Sequence, residues 1–99
     1  MNQEWIELDH IGTIIKEELL EAYEVTIHQV CKHTGIPRTT LNNVLDGKWV
    51  LSSEIALKLG RYFGIDPKYL LNIQTELEVR KTEQELMGVL DSIRPLQMA

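Results

Sequence analysis

Between positions 26 and 47 the chain has room for two short helices and almost nothing between them. Thr26 is a good N-cap, and Ile27, Val30 and Cys31 recur at helical spacing behind it. Gly35 then stops that stretch, as a C′ residue needing positive φ would. Only Ile36 and Pro37 intervene before the next helical stretch, and proline can open a helix because it needs no N–H acceptor there. Leu41, Val44 and Leu45 supply one apolar face, and Gly47 ends the segment. Two short helices joined by a tight glycine-containing turn form a helix-turn-helix, with small Cys31 where the pair crosses closely.

The flanking sequence is helical too, and no segment alternates convincingly at period two. A first helix is expected over residues 10–23, capped by Asp9, with Ile11, Ile14, Ile15, Leu19 and Ala22 on its apolar face. A fourth follows Ser52, with Glu54 in its first turn and Ile55, Ala56, Leu59, Tyr62 and Phe63 buried, closed by Gly64. Asp66-Pro67 is a strong start signal for a fifth, which turns Leu70, Leu71, Ile73 and Leu77 inward. That helix continues through the charged stretch 76–85, where Glu76–Arg80 and Lys81–Glu85 are weak i, i+4 pairs. Leu86, Leu90 and Ile93 form a further apolar set before Pro95. The expected fold is all-α: a five-helix domain over 10–78, preceded by an N-terminal arm (1–9) and followed by a helical extension (79–99).

The bulk composition, 43% hydrophobic and 25% charged over 99 residues, fits one globular domain with an appendage. The opening MNQEWIEL has neither a basic nor an apolar leader segment, and no apolar run approaches the ~20 residues of a membrane span. A lone cysteine gives no internal disulfide. A cytoplasmic protein without membrane association is therefore expected.

The net charge of −5 argues against nucleic acid until its distribution is considered. Residues 1–24 carry −6, residues 25–63 carry +3 and residues 64–99 carry −2. Phosphates respond to local charge, and the positive third contains the helix-turn-helix. The N-terminal end of its second helix is left free to enter a major groove. Arg38 suits guanine O6 and N7, Asn43 suits adenine N6 and N7, and Thr39 can reach base edges or a thymine methyl. Thr40 and Lys48 suit backbone phosphates, which position the motif without reading sequence.

These residues carry a resemblance. IIKEELLE in the first helix, GIPRTTLNNVLDGK across the turn and SSEIALKLGRYFGIDPKYLLNIQ beyond it resemble the HigA group, also labelled VapI, of antitoxins. That group lies within the phage-repressor-like (XRE) helix-turn-helix superfamily. The likeness spans residues 10–75, with PKYLLNIQ (67–74) as its more specific mark. The chain departs at His10-Ile11-Gly12-Thr13, where the group often has His-Pro-Gly-Glu. It departs again at Ile27, where a phosphate-contacting Gln is usual, and Cys31 replaces the usual Ala. The resemblance implies a lambda-repressor-like fold and a homodimer on a palindromic operator in double-stranded DNA. It also implies repression of its own operon and neutralisation of a RelE-like, mRNA-cleaving toxin. Arg38, Thr39 and Asn43 would meet bases, and Thr40 and Lys48 phosphates; no motif marks the toxin-binding surface.

Other chemistries fare worse. His28, Cys31 and His33 are near one another, but Cys31 holds an inward position and no fourth ligand set accompanies them, so no metal or other cofactor is expected. A buried thiol is inert as a nucleophile. Glu17, Glu18 and Glu21 read as a solvated helix face rather than catalytic carboxylates, and no enzyme activity is indicated. Trp49 is expected in the core beneath the recognition helix rather than against DNA. Trp5, Ile6 and Leu8 make an apolar patch in the arm, suited to docking a partner or covering the domain. Leu86, Leu90 and Ile93 are expected at a dimer or toxin contact. Two alternatives stand beside the antitoxin: a stand-alone prophage or chromosomal regulator, and an interaction module without DNA binding.

Overall fold

The computed structural model describes residues 9–97, so the apolar patch of Trp5, Ile6 and Leu8 lies outside the described residues. Within them the chain is all helical. Helices α1 (Ile11–Ile15), α2 (Ile27–Thr34), α3 (Arg38–Leu45), α4 (Ser53–Phe63) and α5 (Pro67–Glu85) build the domain, and α6 (Met87–Ser92) follows as the extension. Helix α1 packs on α3 and α5, α2 on α3 and α4, and α4 on α5. The core they enclose is aliphatic, from Ile15 of α1 through Val30, Leu41, Val44, Leu45 and Leu59 to Leu70 of α5. Each such side chain contributes about 1.5–3 kcal/mol through the water it leaves.

Local signals set most of the helix ends. Thr26 and Gln29 form a reciprocal capping box, and Gly35 closes α2 at φ 79°. Ser52 caps α4 through the Ile55 N–H at 3.2 Å, and Gly64 ends it in the left-handed conformation. Asp66 accepts from the Lys68 N–H at 2.9 Å, with Pro67 in the first turn of α5.

The first helix departs from expectation in two ways. Its cap is His10, not Asp9: the His10 Nδ1 accepts the Gly12 N–H at 3.0 Å. The imidazole lies against Gly47, in space that a Cβ there would enter. The second departure is a wide π-helical stretch, Lys16–Glu21, directly after Ile15. A π turn holds more residues than an α turn, so the apolar register slips along the chain. Leu19 and Leu20 are both buried as a result, and Ala22, expected inward, is exposed. The turn that follows it reverses at Glu24, whose φ of 56° makes it the one non-glycine in the left-handed region among the described residues.

Helix α5 runs unbroken across position 78, and every described residue from Glu78 onward is exposed. Glu76 and Arg80 approach to 3.7 Å on that solvated surface, whereas Lys81 and Glu85 form no ion pair. Among the described residues no helix is long and apolar enough to cross a membrane.

Candidate nucleic-acid interface

Helix α3 is fixed from behind and open in front. Leu41, Val44 and Leu45 are buried beneath it, locked against α1 and α2. The tight turn before it is tied by Thr34, which sequence reasoning passed over. The Thr34 hydroxyl donates to the Val30 carbonyl at 2.6 Å and accepts the Ile36 N–H at 3.2 Å. Ile36 is buried, so the turn is held by an apolar plug and a hydroxyl bridge together. The only sequence signal for that role is a threonine directly before the helix-ending glycine.

Arg38 and Thr39 are exposed on the first turn of α3, while Thr40 and Asn43 are half-buried along the same helix. Lys48 is exposed just past its end. Among the described residues, none of these five side chains has a hydrogen bond or ion pair within the protein. Pro37 offers no side-chain cap, so the N–H groups of the first turn also lack a side-chain acceptor. Open N–H groups at the positive end of a helix dipole suit a phosphate oxygen. The structure thus brings Arg38, Thr39, Thr40 and Asn43 onto one short helix with their donors unspent.

Lys48 reaches the site through the loop at 47–51. The Lys48 and Trp49 N–H groups both donate to the Asn43 carbonyl, at 2.9 and 3.2 Å, and Gly47 takes a φ of 79°. That reversal corrects the expectation for Trp49. The chain turns outward before it reaches the core, leaving Trp49 51% exposed, and Leu51 (3% exposed) takes the apolar slot instead. Trp49 borders a groove of about 550 Å³ together with His10, Val50, Gln74 and Leu77.

Gln74, the last residue of the PKYLLNIQ run, holds the far end of this loop. Its Oε1 accepts the Leu51 N–H at 2.6 Å and its Nε2 donates to the Leu51 carbonyl at 3.0 Å. Tyr69 of the same run donates its hydroxyl to Glu18 at 3.0 Å, linking α5 to the π-helical stretch. That hydrogen bond and the carboxylate charge push the Tyr69 pKa above its ordinary value.

His28, Cys31 and His33 do not converge. Cys31 is half-buried, and the His33 ring stacks on Tyr62 at 5.8 Å between centroids. Among the described residues no group of three or more His, Cys, Asp or Glu is arranged to hold a metal ion.

Fold and site together define a helix-turn-helix domain of the lambda-repressor-like kind. No family model matches the chain. It is 32% identical to YddM, an uncharacterised HTH-type transcriptional regulator of Escherichia coli, over 73 residues that cover 74% of this chain and 77% of that protein. It is 29% identical to antitoxin HigA-1 of Vibrio cholerae over 86 residues, 87% of this chain and 81% of that one. Among solved structures, Pseudomonas aeruginosa antitoxin HigA with the higBA promoter shares the fold at a TM-score of 0.80 and 22% identity, covering 90% of this chain and 98% of its own. The chain belongs to the HTH-type transcriptional regulators, and it is similar to antitoxin HigA-1 and virulence-associated protein I.

Proposed function

We propose that this protein is a DNA-binding antitoxin that represses its own operon and neutralises an mRNA-cleaving toxin of the RelE-like type. The observation that carries the DNA half is the recognition helix α3. Its apolar back is buried, its side-chain donors are unspent, and it lies in the positively charged third of an otherwise acidic chain. Arg38, Thr39 and Asn43 are assigned to base edges, and Thr40 and Lys48 to phosphates, of a palindromic operator in double-stranded DNA. The antitoxin half rests on kinship, with relatives named HigA and virulence-associated protein I. A cytoplasmic location follows from that role.

A palindrome asks for a two-fold protein. Leu86, Leu90 and Ile93 stand exposed along the end of the extension, outside the hydrophobic core of the domain. They are assigned to the homodimer or toxin contact. A chain ended after Gln84 that stayed dimeric and still bound the toxin would remove that assignment.

The direct experiment is a mobility-shift titration against a duplex from immediately upstream of the protein's own reading frame. Binding that weakens steeply with salt is the expected result, and no binding even at low salt would leave an interaction module in its place. The 32% identity to an HTH-type regulator favours a second reading, a stand-alone transcription regulator. Co-expression with the product of the adjacent gene separates the two: an antitoxin co-purifies with a ribonuclease and relieves its growth arrest, and a stand-alone regulator does neither.

A further inference from the structure

The residues assigned to DNA sit on α3 and just after it, yet the loop that carries Lys48 is held from a helix much further along the chain. Leu51 is buried, and its N–H and C=O both need partners. In a sheet a neighbouring strand would supply them. Here the Gln74 side chain does, with one acceptor and one donor at 2.6 and 3.0 Å. Only a primary amide carries a carbonyl and an N–H₂ side by side, so it can complement both backbone groups of a single residue. Glutamate would lack the donor, and asparagine would be one methylene shorter.

The loop is restrained at both ends. At its start Gly47 rests against the His10 ring, and the Lys48 and Trp49 N–H groups share the Asn43 carbonyl. Its middle, Lys48-Trp49-Val50, is exposed. The clamp on Leu51, together with its buried side chain, holds the far end of the loop and so sets how the exposed stretch 48–50 is presented beside α3. Both ends of the Gln74 amide are engaged by Leu51, so its role is to place other groups rather than to touch nucleic acid itself.

We propose that Gln74 is a positioning residue for DNA binding: its amide sets the 47–51 loop so that Lys48, with Trp49 beside it, meets the phosphate backbone flanking the recognition helix. This rests on the DNA-binding reading above. Loss of the clamp leaves α3 and its base-reading side chains in place while the loop drifts from the phosphates. The defect is thus one of sequence-independent affinity.

The test uses the full chain and four proteins: wild type, Gln74→Met, Lys48→Ala and the double variant. Methionine keeps the length and helix propensity of glutamine but removes both hydrogen bonds. Binding to the duplex upstream of the protein's own reading frame, and to an unrelated duplex, is measured over a series of salt concentrations. Gln74→Met is expected to weaken binding to both duplexes about tenfold and to lower the salt slope by about one, as loss of a phosphate contact does. The double variant should then bind within about twofold of Gln74→Met alone, because the two changes remove one contact. A wild-type salt slope in folded Gln74→Met, or losses that multiply in the double variant, would overturn the proposal. Should Gln74→Met not fold, Gln74→Asn carries the same comparison with the amide retained but short. Failure of the wild type to bind DNA at all is a different result, and it removes the DNA-binding reading itself.

Discussion

Gly12 lies directly against the backbone carbonyls of Val44 and Leu45, so that α1 and the recognition helix touch main chain to main chain. A Cβ at position 12 would overlap both carbonyl oxygens and come within 2.7 Å of the Leu45 carbonyl carbon. Backbone cannot move aside as a flexible side chain can. Gly12→Ala should therefore destabilise the domain by about 1–3 kcal/mol, as overpacking of a tight core does. Urea unfolding checks this, and a loss below about 0.5 kcal/mol would mean the helices part at little cost, at odds with a contact this close.

The same contact illustrates what was legible in the sequence. Helix-ending glycines, caps and apolar spacing are local signals, and they located α2 through α5 and the recognition helix. The role of Gly12 is not local, because it depends on what α3 brings opposite. The His10 cap is likewise non-local, since its ring packs against Gly47 from beyond α3. Hydrophobicity alone sends Trp49 inward, whereas hydrogen bonds to the Asn43 carbonyl turn the chain before it gets there. Of the site itself, the residue types on α3 could be read in order. Thr34 and Gln74, which hold that helix and its loop, act through backbone partners that no residue pattern names.

Glu24 is the place where the chain carries strain without a glycine to relieve it, at φ 56° between the π-helical stretch and α2. Replacing it with glycine removes the Cβ clash of the left-handed region at some cost in unfolded-chain entropy. The net gain expected for Glu24→Gly is about 0.5–1 kcal/mol. Glu24→Ala removes the charge but not the strain, and should show no such gain. Equal stabilisation by both would place the effect in the acidic surroundings rather than the backbone.

Thr34 offers a test of how the turn is held. Thr34→Val keeps the shape but leaves the half-buried Ile36 N–H without its acceptor. A loss of about 1–2 kcal/mol is expected. Thr34→Ser keeps the hydroxyl and should avoid most of that loss. DNA affinity of folded Thr34→Val should also fall, because the turn sets the angle at which α3 leaves α2. Wild-type affinity in that variant would show that Ile36 packing alone holds the turn.

Under the proposed function Arg38 reads bases and Lys48 meets phosphates, so their variants should differ in kind. Arg38 is exposed on the first turn of α3, where a guanidinium can bond to guanine O6 and N7 together. Arg38→Ala should cost about 1–3 kcal/mol on the operator and relax base preference at one position in each half-site, with much less effect on unrelated DNA. Lys48 lies outside the helix on the loop, and a point charge there would meet phosphate without regard to sequence. Lys48→Ala should weaken both duplexes alike and reduce the salt slope by about one, leaving base preference as it was. Selection from a randomised operator pool, paired with salt titrations, measures both quantities for each variant. An unchanged base preference in Arg38→Ala would mean that α3 does not present its first turn to the groove, and the assignment of Thr39 and Asn43 to bases would fall with it.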